Sequence, residues 1–206
     1  MAILSASSSA GKIETVLENI KQPSVKLIVY FFSVDLKTDS IHRKVKQNFP
    51  DAVCIGSSMI GGWGPSGPIE KGFTALSLSQ EEVGAVYSSF QEGAKSDPKK
   101  KKKKIISDIT KQMSGKTPTP NEYVGLILMD GLSLGEILMK ELSTAGNFSF
   151  PFIGGAAADE LTFTETLVGH NDHLSGDGAV VAVLKMNVPF FYNHYVHYKP
   201  TNKEFL

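Results

Sequence analysis

Small and polar residues follow three predicted buried strands of this 206-residue chain. They are Gly56, Ser57 and Ser58 after the first strand, Asp130 and Gly131 after the second, and Gly154, Gly155 and Asp159 after the third. Open α/β sheets bind ligands beyond the carboxyl ends of their strands, and glycine lets a ligand approach the backbone. We therefore expect a ligand-binding site here, although glycines in tight turns would give the same pattern.

Trp63 lies in a glycine-rich turn, residues 61–68, that follows the first of these strands. We include it among the candidate ligand-binding residues, as a stacking platform or a lid. The alternative is that the indole folds over the rim of the core. The turn is not a P-loop, because no Gly-Lys-Ser/Thr follows the glycines.

Asp130 and Asp159 could act as paired carboxylates, either as general acid and base or as metal ligands. The alternative, which we favour, is that each caps a turn, since Asp130 directly precedes glycine. Ser57 and Ser58 do not stand in a nucleophile-elbow pattern. The sequence therefore predicts no catalytic residues and no enzyme.

Neither a metal nor a cofactor is predicted. The single cysteine, Cys54, lies in an apolar run and is expected to be buried. His170 and His173, like His194 and His197, are three residues apart in segments typical of strand or loop. That spacing divides the two side chains of a pair between opposite faces of a strand, so it does not favour a metal site.

The zero net charge is the sum of two unlike regions. Lys99 to Lys104 are consecutive lysines, and the rest of the chain carries 15 basic and 21 acidic groups. Arg43 is the only arginine, which disfavours sequence-specific recognition of nucleic acid. The lysine tract could contact RNA, anionic lipid or an acidic partner, but a solvated loop is the favoured interpretation. With no apparent signal peptide or membrane span, we expect a cytoplasmic protein.

Two similar β-α-β-β units predict an α/β fold, a mixed β-sheet core flanked by helices. The predicted strands are 25–32, 51–59, 72–79 and 83–90 in the first unit, then 123–130, 151–160, 163–169 and 178–186 in the second. Helices are predicted over about 13–20, 40–48 and 133–145. The whole chain, 1–206, is read as one domain with units at about 10–92 and 122–200.

A basic connector, about 93–121, joins the two units. Asp97 and Pro98 predict a helix start, and Ile105, Ile109 and Met113 recur every four residues. Because consecutive lysines oppose the helix dipole and repel one another, we expect a frayed start that becomes a docked helix near Ile105.

The ordered motifs CIGSSMIGG (54–62) and FPFIGGAAAD (150–159), with the strands around them, resemble the N-terminal FIST domain over about residues 10–187. That family is named for F-box and intracellular signal transduction proteins. The resemblance implies a sensory module that binds a small molecule such as an amino acid. It also implies a C-terminal FIST domain, a signalling domain or an F-box as partner, and it supplies no catalytic residues.

The leading hypothesis is thus a ligand-sensing domain of an intracellular signal-transduction protein. The first alternative is a protein-recognition scaffold, the substrate-receptor module of an F-box ubiquitin ligase, with Trp63 and the lysine tract contacting the partner. The second is an enzyme that uses Asp130 and Asp159, which requires both carboxylates in one concave site.

Overall fold

A computed structural model describes residues 3–36, 40–93, 96–116, 118–132, 138–140, 142 and 148–193. Three helices have bounds there: α1 Ile13–Asn19, α2 Ile41–Asn48 and α3 Pro98–Gln112. The strands are β1 Leu4–Ser8, β2 Val25–Phe32, β3 Val53–Ser58, β4 Gly62–Gly64, β5 Gly67–Ile69, β6 Phe73–Ser79, β7 Val83–Glu92, β8 Tyr123–Met129, β9 Phe152–Ala156, β10 Val168–His170, β11 His173–Ser175 and β12 Gly178–Met186.

The first sheet has the strand order β1-β6-β2-β3-β10-β11. Within it β2 pairs in parallel with β3 and antiparallel with β6. The apolar sequence of β2 fits this central place, because its side chains face packed layers on both sides. The carboxyl ends of β2 and β3 therefore lie at the same edge of the sheet.

The second sheet has the order β7-β12-β8-β9. Here β8 pairs in parallel with β9 and antiparallel with β12, so the arrangement of β6, β2 and β3 recurs in β12, β8 and β9. Whether this reflects an ancestral duplication stays a prediction. The recurrence gives the molecule two parallel strand pairs, each with a glycine-containing second strand.

Three clusters of buried side chains define four layers. One face of the first sheet packs against α1 and α2, and one face of the second packs against α3 and against Leu138 and Leu142. The third cluster lies between the sheets and joins residues such as Leu27 and Val29 to Val180 and Leu184. The structure thus confirms the α/β fold with mixed sheets flanked by helices.

The structure corrects the predicted strand over 163–169, because only Val168–His170 pairs, with β3 and β11. The segment before it is instead a loop that makes hydrogen bonds with the ends of β3 and β8. Four strands were not predicted. They are β1, which pairs with β6, the two strands of the β4–β5 hairpin in the glycine-rich turn, and β11, which pairs with β10. The predicted helix over 133–145 lies largely outside the described residues, of which 138–140 and 142 are helical.

The prediction of a frayed, loop-like lysine tract was wrong, since α3 begins at Pro98 and includes all six lysines. The Asp97 carboxylate caps the helix by accepting a hydrogen bond from the Lys100 backbone N–H at 2.9 Å. Ile105 and Ile109 are fully buried against the second sheet. Cap and docking together hold the basic turns in the helix.

Candidate functional site

A cavity of about 460 Å³ lies where the carboxyl-terminal parts of the two parallel strand pairs face each other. Its described lining comes from the ends of β2 and β3, from β8 and β9, and from the segments that follow β3 and β9. The lining residues are Phe31, Ser57, Ser58, Met59, Ile60, Gly61, Leu128, Gly154, Gly155, Ala156 and Ala158. Four predicted site residues, Ser57, Ser58, Gly154 and Gly155, are therefore brought together here.

Ser58 connects β3 to the segments that follow β9. Its carbonyl oxygen accepts a hydrogen bond from the Ala158 N–H at 3.1 Å. Its hydroxyl oxygen accepts one from the Leu167 N–H at 3.0 Å, while its own N–H donates to the Leu167 carbonyl at 2.8 Å. These bonds fix the floor of the cavity by joining the edges of the two sheets.

Ser57 contributes a polar group to the cavity wall. The residue has 3% relative exposure and borders the cavity. A hydroxyl both donates and accepts, so one that lines a cavity can bond to a ligand or to water. The sequence predicted Ser57 and Ser58 together as site residues and could not tell which hydroxyl would be bonded within the protein.

The two glycines of β9 have different surroundings. A Cβ atom on Gly154 would overlap the carbonyl oxygen of Ile127, its register partner on β8. A Cβ atom on Gly155 would meet nothing within 4 Å. Gly154 therefore allows close strand packing, whereas the space over Gly155 belongs to the cavity.

Asp130 is fully buried but is not among the residues that line the cavity. Its carboxylate accepts hydrogen bonds from the Leu132 N–H at 3.1 Å and from the Thr166 hydroxyl. The Gly131 N–H donates to the same Thr166 oxygen at 3.2 Å, and a Cβ on Gly131 would overlap the carbonyl of Ala157. Asp130 and Gly131 thus hold the loop before β10 and are not among the residues that line this cavity.

Asp159 holds the other end of that loop. Its carboxylate accepts hydrogen bonds from the Thr162 hydroxyl at 2.7 Å and from the Thr164 N–H at 2.8 Å. The hydrogen bond from Thr162 is the main reason that the pKa of Asp159 is lowered to about 2. Like Asp130, it is not among the residues that line the cavity. The described contacts thus assign both carboxylates to the loop, as the turn-capping alternative expected.

Gly56 and Trp63 also lie outside this cavity. Gly56 leaves room for the buried ring of Tyr30, which a Cβ atom would overlap. Trp63, on the β4–β5 hairpin, is 77% exposed and borders a neighbouring cavity of about 290 Å³. Phe31 lines both cavities, so the indole lies one side chain away from the larger one.

A wider groove of about 870 Å³, which the sequence did not indicate, lies between β7, α3 and the β10–β11 hairpin. The Asn171 side-chain oxygen accepts from the Cys54 N–H at 3.1 Å, so its amide nitrogen faces Nε2 of His170 at 3.3 Å. The Ser88 hydroxyl forms a hydrogen bond of 2.9 Å with the same Nε2, and the imidazole tautomer decides which of the two donates. The sequence did not indicate this groove because the pairing of β10 with β3, which brings these residues together, could not be predicted from it.

Burial is the main reason that the pKa of His170 is lowered to about 4, which leaves the imidazole neutral at pH 7. The hydrogen bonds of His170 with Ser88 and Asn171 therefore hold the β10–β11 hairpin against β7. Burial also raises the pKa of the Cys54 thiol to about 12, as expected for a buried, unreactive cysteine.

Within the described ranges, no group of three His, Cys, Asp or Glu side chains is arranged to hold a metal ion. His194 and His197 lie outside those ranges. No helix of the described part of the chain is both long and apolar enough to cross a membrane.

Comparison with known protein families finds a match over most of the chain. The family model described as FIST N domain matches residues 26–206. No curated protein matches the sequence.

Proposed function

Because the chain belongs to the FIST N domain family, whose members are sensory domains of signal transduction, we propose that it senses a small molecule bound between the ends of β3 and β9. The observation that carries this proposal is the 460 Å³ cavity lined by Ser57, Ser58, Gly154 and Gly155. Its size falls within the range of ligand pockets, about 300–1,000 Å³.

The position of the cavity supports a sensory role. Ser58 joins β3 to Ala158 and Leu167, so the cavity wall includes the contacts between the two sheets. A ligand that fills the cavity stabilises those contacts, and the folded protein gains RT ln(1 + L/Kd) of stability, where L is the concentration of free ligand. We further propose that the domain is cytoplasmic and acts by binding, with no catalytic step of its own.

A thermal-shift screen tests the proposal, with amino acids and other small metabolites as the panel. Gly155 offers a matched pair of variants, since Gly155→Leu fills part of the cavity and Gly155→Ala leaves most of it open. A compound that binds there raises the Tm of the wild-type protein and of Gly155→Ala, and loses this effect on Gly155→Leu.

Trp63 provides an independent readout, because it is the only tryptophan of the chain and lies beside Phe31 of the cavity. Its emission should change on addition of the same compound. An equal Tm shift in wild type and Gly155→Leu would show that the compound binds elsewhere. A full panel without a hit would contradict small-molecule sensing.

A second candidate function is protein recognition, favoured by large apolar side chains that are exposed at the surface. Trp63, Leu161 and Phe163 are each exposed by more than two thirds. Exposed apolar patches on soluble domains mark interaction surfaces. This candidate predicts that a purified signalling or F-box partner loses affinity for a Trp63→Ser, Phe163→Ser variant.

A further inference from the structure

The described lining of the cavity between β3 and β9 has no charged side chain. Its side chains are apolar, from Phe31, Met59, Ile60 and Leu128, or carry a hydroxyl group, from Ser57 and Ser58. The remaining lining residues are glycine and alanine. A bound charge would therefore lose its water without gaining an ionic partner among these groups, which is strongly unfavourable.

The charged groups nearest in sequence are engaged elsewhere. Asp159 accepts hydrogen bonds within its own loop, from Thr162 and Thr164. On the outer surface the Lys71 ammonium lies 3.2 Å from the Asp35 carboxylate and 2.5 Å from that of Glu160. Lys71, Asp35 and Glu160 therefore balance one another's charge. The described lining of the cavity itself has no charged side chain that could balance the charge of a ligand.

Ser57 nevertheless offers a hydrogen-bonding group to the cavity. The residue lines the wall with 3% relative exposure, and a ligand in the cavity can reach its hydroxyl. A hydroxyl both donates and accepts, so an amide or hydroxyl group of a ligand would satisfy it. The serine hydroxyls of the described lining carry no charge that could balance the ionic ends of a zwitterion.

We infer that the cavity selects an uncharged ligand that combines an apolar group with one amide or hydroxyl, and that it discriminates against free amino acids and other ions. This inference rests on the proposed sensing function at the same site. The apolar group contacts Phe31 and Leu128, while the polar group bonds to Ser57.

Four compounds that share a branched alkyl group but differ in charge test the inference. They are 4-methylpentanamide, 4-methylpentanoate, 3-methylbutylamine and leucine. Binding is measured at pH 7 by calorimetry and by Trp63 fluorescence. We expect the amide to bind at least about tenfold more tightly than each of the three ions, a difference of about 1.4 kcal/mol.

Three variants test whether the amide binds in the cavity. Ser57→Ala should weaken binding of the amide about fivefold, as expected for one lost hydrogen bond. Gly155→Leu should abolish it, and Ser107→Ala, an exposed position of α3, should leave it unchanged. The Tm of each ligand-free variant confirms that it is folded.

The outcomes separate the inference from the proposed function. If leucine or another ion binds as tightly as the amide and Gly155→Leu abolishes that binding, the site is real and charge discrimination is wrong. If the amide binds equally well to Gly155→Leu, or if none of the four compounds binds, the inference and the assignment of the cavity both fail.

Discussion

Gly154 and Gly155 show how neighbouring residues of one type serve different purposes. Gly154 faces the carbonyl of Ile127 so closely that no side chain fits, because β8 and β9 pack tightly there. Gly155 faces open space, and its lack of a side chain enlarges the cavity. The first glycine is required by the fold, whereas the second borders the proposed ligand cavity.

The two glycines should therefore respond differently to the same substitution. Gly154→Ala forces β9 away from β8 and should lower the free energy of unfolding by about 2 kcal/mol or more, as overpacking does. Gly155→Ala should change it by less than about 0.5 kcal/mol, since its Cβ meets no atom. Urea denaturation measures both, and equal effects would contradict the packing of β9.

His170 makes stability depend on pH in a defined window. The folded protein holds its pKa at about 4, while the unfolded chain has the ordinary value of 6.5, so between these values the unfolded chain binds the extra proton. Stability is therefore complete above about pH 6.5 and falls as the pH drops towards 4. At 1.36 kcal/mol per pKa unit, the loss from this residue between pH 7.5 and pH 5 is about 2 kcal/mol.

Urea denaturation of His170→Gln at both pH values tests this prediction. The variant should lose about 2 kcal/mol less than the wild type between pH 7.5 and pH 5. His42, whose pKa is also lowered by burial, keeps a contribution of the same sign in both proteins. Asp159, with its pKa at about 2, affects stability only at more acidic pH, as the carboxyl groups protonate. An unchanged pH dependence would show that His170 is not buried as described.

The sequence predicted part of the cavity because parallel strands bring their carboxyl ends together. Ser57, Ser58, Gly154 and Gly155 follow from that rule alone. The roles of Asp130 and Asp159 did not follow, since their partners Thr162, Thr164 and Thr166 lie in an irregular loop. No periodic pattern tells which way a carboxylate turns in such a loop.

At the scale of elements, α3 combines favourable and unfavourable features at its start. Asp97 caps it, and the Lys104 ammonium lies 2.7 Å from the Asp108 carboxylate one turn later. Lys99 and Lys100, in the first turn, place positive charge where the helix dipole is also positive. The helix forms because docking of its apolar face outweighs this repulsion.

Reversing those first-turn charges should stabilise the protein. The double variant Lys99→Glu, Lys100→Glu should raise the free energy of unfolding by about 1 kcal/mol at low ionic strength, and by less in 1 M salt, which screens the interaction. Lys103→Glu, exposed but beyond the first turn, is the control and should have a smaller effect. A destabilised double variant would mean that these lysines bind another part of the protein.

Elements buried on both faces were the easiest to predict. The long apolar strands Val25–Phe32 and Gly178–Met186 have the predicted bounds. The short strands β1 and β10 depend on pairing with β6 and β3, which are distant in the sequence, and β11 depends in turn on β10. Three to five residues carry too little pattern to reveal such partners.

At the scale of the whole molecule, the core between the two sheets determines whether the two halves of the chain, one sheet each, unfold together. Leu27 and Ile55 of the first sheet meet Val180 and Leu184 of the second in one buried cluster. The proposed ligand cavity opens at the edge of this cluster, where Phe31 and Leu128 approach each other. Binding there is thus coupled to the packing of the entire sandwich.

This shared core predicts that Leu27→Ala weakens both halves together. Leu27 is fully buried, so the truncation should lower the free energy of unfolding by about 3 kcal/mol. Emission of Trp63 reports on the first half, and far-UV circular dichroism reports on all strands and helices. Because the sheets share their core, the two signals should give the same urea midpoint in wild type and variant. An earlier fluorescence transition in Leu27→Ala would show that the first sheet unfolds separately, and the cavity between the sheets would then form only when both are folded.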